Sequence, residues 1–184
     1  MSRPLRADAQ RNRARVLEVA AETFAAEGLS VPVHEIARRA GVGTGTVSRH
    51  FPTKEALFQA VLFDRMEQLV RRAGELAERE EPGEAFFGFF AALVEAGATN
   101  KGLVDALAGA GFDFVAAAQE SRYDVMGAWS GLLDAAQRTG AVRADTDMAD
   151  VKALLTGCVD RERAAPDPRA RERLLSIIRT GLRP

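Results

Sequence analysis

The stretch from Val33 to Phe51 constrains the fold of this chain more than any other part of the sequence. Its apolar residues recur at helical spacing on both sides of a glycine, which predicts two short helices that each bury one face. These residues are Val33, Ile36, Ala37 and Ala40 before the glycine, and Val42, Val47 and Phe51 after it. Gly41 stands where a turn between crossed helices requires a residue that tolerates a positive φ angle.

The second of these helices carries a polar outer surface that has no packing role in the scaffold. This surface consists of Thr44, Thr46, Ser48, Arg49 and His50. A compact, partly cationic helix held by a small apolar scaffold is suited to insertion into the major groove of DNA. The stretch is therefore predicted to be a helix-turn-helix.

Three sequence runs connect this prediction to a known family. They are Ile36-Ala37-x-x-Ala40-Gly41-Val42, Gly45-Thr46-Val47, and His50-Phe51-Pro52-Thr53-Lys54-Glu55-Ala56-Leu57-Phe58. In this order and spacing they resemble the N-terminal domain of the TetR family of bacterial repressors, over about Asn12 to Val61. The resemblance implies an all-α protein. The expected architecture is an N-terminal three-helix helix-turn-helix DNA-binding domain and a larger C-terminal helical domain for ligand binding and dimerisation.

The resemblance also implies which residues meet DNA. Contacts with base edges or flanking phosphates are expected from Thr44, Gly45, Thr46, Ser48, Arg49 and His50. Lys54 matches the family's position for a basic residue that binds phosphate; the alternative is an ordinary solvated lysine. Ser48 stands where the family most often has a phosphate-contacting tyrosine, and Gly43 stands where serine is common. The Ser48 hydroxyl can still donate to phosphate, but with a shorter reach.

The charge of the chain is uneven, and its positive part lies at the predicted DNA-reading end. Residues 1–58 carry nine basic and six acidic side chains, a balance of +3, so the remaining residues must carry −4 to give the overall −1. Local positive charge is what phosphate contact requires. Residues 1–7 are predicted to form a loose basic arm. Arg11, Arg13 and Arg15 are candidates for phosphate or minor-groove contact, with a solvated terminus as the alternative.

Few residues suit catalysis or metal binding. His34 and His50 are the only histidines, both within the helix-turn-helix, and the single cysteine, Cys158, has no plausible histidine partner. Asp145 and Asp147 resemble metal ligands, but helix capping explains them without a metal. We therefore expect no enzyme activity, no cofactor and no metal site. Because the chain has neither an apolar signal core nor a run of about 18 apolar residues, we expect a cytoplasmic protein with no membrane partner.

The rest of the chain is predicted to be helical, because it shows neither an alternating β pattern nor a hairpin dipeptide. The second predicted helix begins at Pro32. The others run over about 9–27, 44–51, 54–80, 84–97, 102–110, 112–139 (long, or broken near 120–121), 148–163 and 169–180. Asp8, Thr53 and the run from Asp145 to Asp147 are the predicted N-caps. We place the DNA-binding domain at 1–58 and the regulatory and dimerisation domain at 59–184, linked by the helix that starts near residue 54.

Aromatic residues concentrate in the predicted C-terminal domain, where they can line an apolar cavity between helices. The candidate lining residues are Phe86, Phe89, Phe90, Leu93, Leu107, Phe112, Met126 and Trp129. The resemblance implies a small-molecule effector in this region, and an aromatic lining favours an apolar or aromatic one. Candidates for a polar handle are Asn100, Gln119, Tyr123 and Gln137. The alternative is that the aromatic residues simply form the core of this domain.

The last two predicted helices each carry an apolar stripe. The stripes consist of Val151, Leu154, Leu155, Cys158 and Val159 on one helix, and of Leu174, Leu175, Ile177, Ile178 and Leu182 on the other. The resemblance implies that these helices pair into a four-helix homodimer interface, and the alternative is packing within one chain. A single short recognition helix buries too little surface for specific binding, so two half-sites on a palindromic operator are expected.

The sequence therefore predicts a TetR-like DNA-binding regulator, most simply a repressor, whose partners are a double-stranded DNA operator, a small-molecule effector and a second copy of the chain. Two alternatives stay open. One is a regulator of the same fold that acts without a small-molecule ligand, which a tightly packed C-terminal core would favour. The other is a helical small-molecule-binding protein without specific DNA recognition, which sequence-selective DNA binding would exclude.

Overall fold

The computed structural model describes residues 3–28, 30–109 and 123–184, and describes side chains for residues 8–28, 30–98 and 123–184. Over these residues every regular element is a helix, which confirms the all-α prediction. The helices are α1 (Arg3–Glu27), α2 (Val33–Arg39), α3 (Thr44–His50), α4 (Lys54–Arg79), α5 (Pro82–Gly109), α6 (Val125–Arg138), α7 (Met148–Ala164) and α8 (Pro168–Gly181). None of the described helices is long and apolar enough to cross a membrane.

The described residues form two compact units, each with its own hydrophobic core. The first unit contains residues 3–65 and 100–109, and the second contains residues 66–99 and 123–184. Helix α4 therefore begins in the first unit and ends in the second.

The core of the first unit is built by α1, α2, α3 and the first turns of α4. Helix α1 packs against both α2 and α3, and Phe24 of α1 meets Phe58 of α4 edge to face, with ring centroids 4.5 Å apart. The buried residues are Val16, Leu17, Ala20, Ala21, Phe24, Val31, Ile36, Ala37, Ala40, Val47, Phe51, Leu57, Phe58 and Val61. Helices α2 and α3 have only seven residues each. They depend on this packing, because helices so short are unstable alone in water.

The turn between α2 and α3 confirms the conformation predicted for Gly41, whose φ is 65°. The amide of Gly41 donates to the carbonyl of Arg38 at 3.1 Å, and the amide of Val42 donates to the carbonyl of Ala37 at 3.0 Å. This pair of bonds is the Schellman ending of a helix, which puts the residue after the cap in the left-handed region. A β-carbon is strained in that region, so the turn favours glycine.

Helix α5 corrects the prediction of two helices over 84–97 and 102–110, because it runs without a break from Pro82 to Gly109. A glycine inside a helix costs only about 1 kcal/mol relative to alanine. Phe86, Phe89 and Phe90 on this helix are each 0% exposed, and burial of one such side chain contributes about 1.5–3 kcal/mol. Burial of the aromatic face therefore outweighs the weak helical propensity of the glycines.

Helix α1 also differs from its prediction. The sequence pattern placed an N-cap at Asp8 after a loose arm, but the backbone is helical from Arg3. Pro4 is tolerated at this position because the first turn of a helix needs no amide donors, and the neighbouring arginine, leucine and alanine favour helix. Asp8 instead pairs with Arg11 one turn further along.

Aspartate side chains cap the N-termini of three helices of the second unit. Asp124 and Asp167 each accept a hydrogen bond from a backbone amide in the first turn, at 2.7 Å and 3.0 Å respectively. Asp147 forms a capping box with Asp150, which confirms its predicted role as an N-cap. Asp145 does not share this role, since its carboxylate pairs with the nearby Arg143.

Three further boundaries can be compared with the sequence pattern. Pro32 is the N-cap of α2 rather than its first residue. Thr53 caps α4 as predicted, because its hydroxyl oxygen accepts a hydrogen bond of 3.1 Å from the amide of Ala56. The helix predicted over 112–139 can be compared only from residue 123, where the structure has α6. Residues 110–122 lie outside the described residues.

Candidate nucleic-acid interface

Helix α3 is buried on one side and open on the other. Val47 is 0% exposed and Phe51, just past the helix end, is 5% exposed. Thr44, Gly45, Ser48, Arg49 and His50 are exposed, and Thr46 is half-buried. An α-helix with its side chains is about 10–12 Å across, which fits a major groove about 12 Å wide. A short polar helix is thus presented to solvent on a fixed apolar base.

Lys54 lies at the start of α4, directly after the chain leaves α3. The cap formed by Thr53 fixes the backbone here. The Lys54 ammonium lies 5.8 Å from the ring centroid of Phe58, within the range of a cation–π contact. The positive charge of Lys54 is therefore held near the end of α3.

Two arginines of α2 are bound to carboxylates. Glu35 accepts hydrogen bonds from Arg38 at 2.7 and 2.6 Å and from Arg39 at 2.8 Å, and Arg39 also pairs with Glu27 of α1. The bonds from Arg38 and Arg39 hold the pKa of Glu35 far below its ordinary value, at about 2. This network was not predicted from the sequence, although a glutamate three and four residues before two arginines is a recognised helical pairing signal. These α2 charges are therefore largely balanced at neutral pH.

Each of the three α1 arginines considered for DNA contact has a different neighbour. Arg11 pairs with Asp8, so its charge is balanced within α1. Arg13 lies over the ring of Phe51 with its guanidinium carbon 5.6 Å from the centroid, beside the end of α3. Arg15 donates from Nε to the carbonyl of Ala40 at 2.8 Å. Of the three, Arg13 places positive charge beside the end of α3.

Comparison with known proteins decides the family. Residues 16–61 match the family described as bacterial regulatory proteins, tetR family, and residues 81–184 match the family described as transcriptional regulator SbtR-like, C-terminal domain. The chain belongs to the TetR family. The two matches cover the helix-turn-helix and most of the second unit, so the resemblance found in three sequence runs extends over most of the chain.

Solved structures of TetR-family regulators resemble the whole chain. A TetR transcription regulatory protein from Mycobacterium vanbaalenii is 52% identical, with a TM-score of 0.81, and the match covers 98% of this chain and 100% of that one. A TetR transcriptional regulator from Streptomyces coelicolor is 32% identical, with a TM-score of 0.81, and the match covers 94% of this chain and 98% of that one.

Curated relatives are matched over a shorter length. The HTH-type transcriptional regulator SrpR of Pseudomonas putida is 41% identical over 70 residues. This match covers 38% of the present chain and 33% of SrpR. The chain thus spans about a third of the length of that regulator.

Four of the aromatic residues considered for an effector site in this TetR-family chain lie together in the core of the second unit. Phe86, Phe89 and Phe90 are 0% exposed and Trp129 is 1% exposed, and Leu93 belongs to the same cluster. The rings of Phe90 and Trp129 have centroids 6.1 Å apart. The indole N–H of Trp129 is buried and meets no hydrogen-bond acceptor among the described residues. A buried donor without an acceptor is unusual, since burial removes its water.

The other residues considered for an effector site are not part of this cluster as described. Met126 is 42% exposed. Phe112 and the side chain of Leu107 lie outside the described residues, as do Gln119 and the side chain of Asn100. Of the polar candidates, Tyr123 donates to Glu67 at 2.6 Å, and Gln137 donates to two loop carbonyls at 2.7 and 3.1 Å. Gln137 therefore holds the α6–α7 loop.

One cleft in the second unit has a different character from the predicted effector site. It has a volume of about 440 Å³ and lies between α5, α7 and α8. Its lining residues are Glu95, Ala98, Glu162, Arg163, Pro166 and Arg171. Because this lining is mostly charged, the cleft does not provide the apolar environment expected for an aromatic effector.

The stripes predicted on the last two helices are divided between the core and the surface. Val151, Cys158, Ile178 and Leu182 are buried, and burial raises the pKa of the Cys158 thiol. The partly buried members are Leu154, Leu155, Val159, Leu174 and Leu175. Ile177 is 65% exposed. Packing within the chain thus buries two of the five residues of each stripe, and Leu154, Leu155, Leu174 and Leu175 also pack partly against the core.

Proposed function

We propose that this TetR-family chain is a transcriptional repressor that binds a palindromic DNA operator as a homodimer and is released by a small apolar or aromatic effector. The observation that carries the proposal is α3, whose polar face is open while Val47 behind it is fully buried. Thr44, Gly45, Thr46, Ser48, Arg49 and His50 approach base edges or flanking phosphates, and Lys54 binds phosphate. Such a protein acts where the bacterial chromosome lies, in the cytoplasm.

Dimerisation through α7 and α8 supplies the second recognition helix. The parts of the two stripes that are not buried support this role, since they include partly buried residues of both helices and Ile177, which is 65% exposed, and exposed apolar patches mark association surfaces. Two copies related by a two-fold axis read two half-sites about one helical turn, or a multiple of it, apart. In this proposal, residues 1–58 bind DNA, and residues 59–184 provide regulation and dimerisation.

The effector part of the proposal is supported by Trp129. Its indole N–H is a buried donor among aromatic rings, so a largely apolar molecule with one acceptor oxygen complements it. An effector releases the operator only through its different affinities for the DNA-fitting conformer and the other conformer. The release mechanism is therefore a shift between two conformers of the dimer.

A second candidate is a regulator of the same fold that takes no small molecule at the aromatic cluster. The complete burial of Phe86, Phe89 and Phe90 favours it. Trp129 is the only tryptophan, so energy transfer from it to 8-anilinonaphthalene-1-sulfonate separates the two candidates. Saturable transfer that apolar competitors reverse supports an effector site, whereas an absence of transfer supports the second candidate.

Selection from a randomised DNA duplex pool, followed by titration of the enriched sequence at two salt concentrations, tests the DNA-reading function. We expect a palindromic consensus and a steep loss of affinity with salt, because phosphate contacts release counterions. No enrichment above background would reject operator reading by this chain. It would leave the second unit as the functional part.

A further inference from the structure

Arg15 joins α1 to the turn of the helix-turn-helix. Its Nε donates a hydrogen bond of 2.8 Å to the carbonyl of Ala40, which is the C-cap residue of α2. The guanidinium also lies against Gly41, since a β-carbon there would be 3.3 Å from Nη2 of Arg15. Arg15 is itself exposed, but the next residue of α1, Val16, is 2% exposed, so the helix that carries the arginine is anchored in the core at this point. The side chain connects this anchor to the two residues where the chain changes direction.

The carbonyls at the end of α2 show why this contact matters. The last carbonyls of a helix have no partners within it and must find them elsewhere. Those of Ile36, Ala37 and Arg38 accept amides from the cap and the turn, at 2.9, 3.0 and 3.1 Å. The carbonyl of Ala40 accepts from Arg15. Within this set, only the bond from Arg15 comes from a different helix, so it ties a backbone carbonyl of the turn directly to α1.

We propose that Arg15 is a positioning residue that sets the direction in which α3 leaves α2, and thereby the fit of α3 to DNA. This inference rests on the proposed function, because that direction affects binding only if α3 reads DNA. Arg15 was considered from sequence as a phosphate contact, and the two roles can be separated. Lysine keeps the charge that attracts phosphate but lacks the planar Nε–H that reaches the Ala40 carbonyl.

The test compares operator binding by Arg15→Lys, Arg15→Gln and the wild type at several salt concentrations. Arg72→Lys is the matched control, since Arg72 pairs locally with Glu75 in the part of α4 that belongs to the second unit. We expect Arg15→Lys and Arg15→Gln to lose affinity about tenfold with the salt slope of the wild type, and Arg72→Lys to bind normally. Full affinity in Arg15→Lys with a shallower slope in Arg15→Gln indicates a phosphate contact and overturns the proposal. Unchanged affinity in both variants overturns it as well.

Hydrogen exchange provides a measurement without DNA. The amides of Gly41 and Val42 should exchange faster in Arg15→Lys, while the amide of Leu57, bonded within α4, keeps its protection. Unchanged exchange at the turn contradicts the proposal. In the wild type, the Nε–H of Arg15 should exchange with solvent more slowly than the Nε–H of Arg11. This comparison tests the hydrogen bond from Arg15 to Ala40 even if the variants fold poorly. If the wild type enriches no duplex, the proposed function fails, while these exchange rates still test the hold of Arg15 on the turn.

Discussion

Gly97 on α5 faces Val159 on α7 so closely that a β-carbon at position 97 would lie 2.6 Å from Cγ2 of Val159. Real β-carbons do not approach other atoms to this distance, so any larger residue at 97 must push the two helices apart. The glycine that weakens α5 as an isolated helix is therefore what allows α5 and α7 to approach within the second unit.

Substitution of Gly97 by alanine should destabilise the chain. The overlap with Val159 forces a shift that costs about 1–3 kcal/mol, which exceeds the gain of about 1 kcal/mol in helix propensity. Gly74 is the matched control, because it lies inside α4 and a β-carbon there meets nothing within 4 Å. Gly74→Ala should therefore raise stability by about 0.5–1 kcal/mol. Urea unfolding followed by circular dichroism measures both, and equal effects in the two variants would refute the close approach.

Substitution of Arg49 or Lys54 by alanine should weaken operator binding. If each side chain meets one phosphate, each variant reduces the slope of log affinity against log salt by about 0.9. Arg72→Ala serves as the control, since Arg72 lies in the part of α4 that belongs to the second unit. Fluorescence anisotropy with the selected duplex gives affinities and slopes. Wild-type values for both Arg49→Ala and Lys54→Ala would defeat the assignment of these residues.

Acid should destabilise the first unit through Glu35. The hydrogen bonds from Arg38 and Arg39 lower the pKa of Glu35 from 4.5 to about 2 in the folded chain. A lowered folded-state pKa contributes stability that is present above the unfolded-state pKa and is lost as the pH falls through the folded value. The loss should therefore occur between about pH 4.5 and about pH 2. Unfolding midpoints over this range should depend less on pH in Glu35→Gln than in Glu18→Gln, a control at an exposed position of α1; equal dependence would contradict the network.

Substitution of Ile177 by glutamate should separate the proposed dimer. Ile177 is 65% exposed on α8, and a charge buried there between two copies would lack a partner. Met126→Glu is the control, because Met126 is the other large apolar residue that is exposed among the described residues, at 42%. Sedimentation velocity at micromolar concentration should show a monomer for Ile177→Glu and a dimer for Met126→Glu. A dimer in both cases would place the interface elsewhere.

Features that depend on a few consecutive residues could be predicted from the sequence. The positive φ of Gly41, the cap at Thr53 and the cap at Asp147 were all identified, because turn and cap chemistry acts over two to four residues. The buried and open sides of α3 also followed from spacing alone, since a helix turns once every 3.6 residues. The family resemblance rested on the same short segment.

Tertiary structure decided whatever depends on residues far apart in the chain. Arg39 pairs with Glu27 across 12 positions, and Arg15 reaches the carbonyl of Ala40 across 25; no local pattern specifies either contact. The glycines of α5 indicated a break, but burial of the aromatic face keeps the helix continuous. Local propensities are worth about 1 kcal/mol or less per residue, whereas packing against distant elements contributes several times more. The sequence by itself therefore determined the helix-turn-helix and its polar face, and the packed structure determined which charges remain available on that face and how its turn is held.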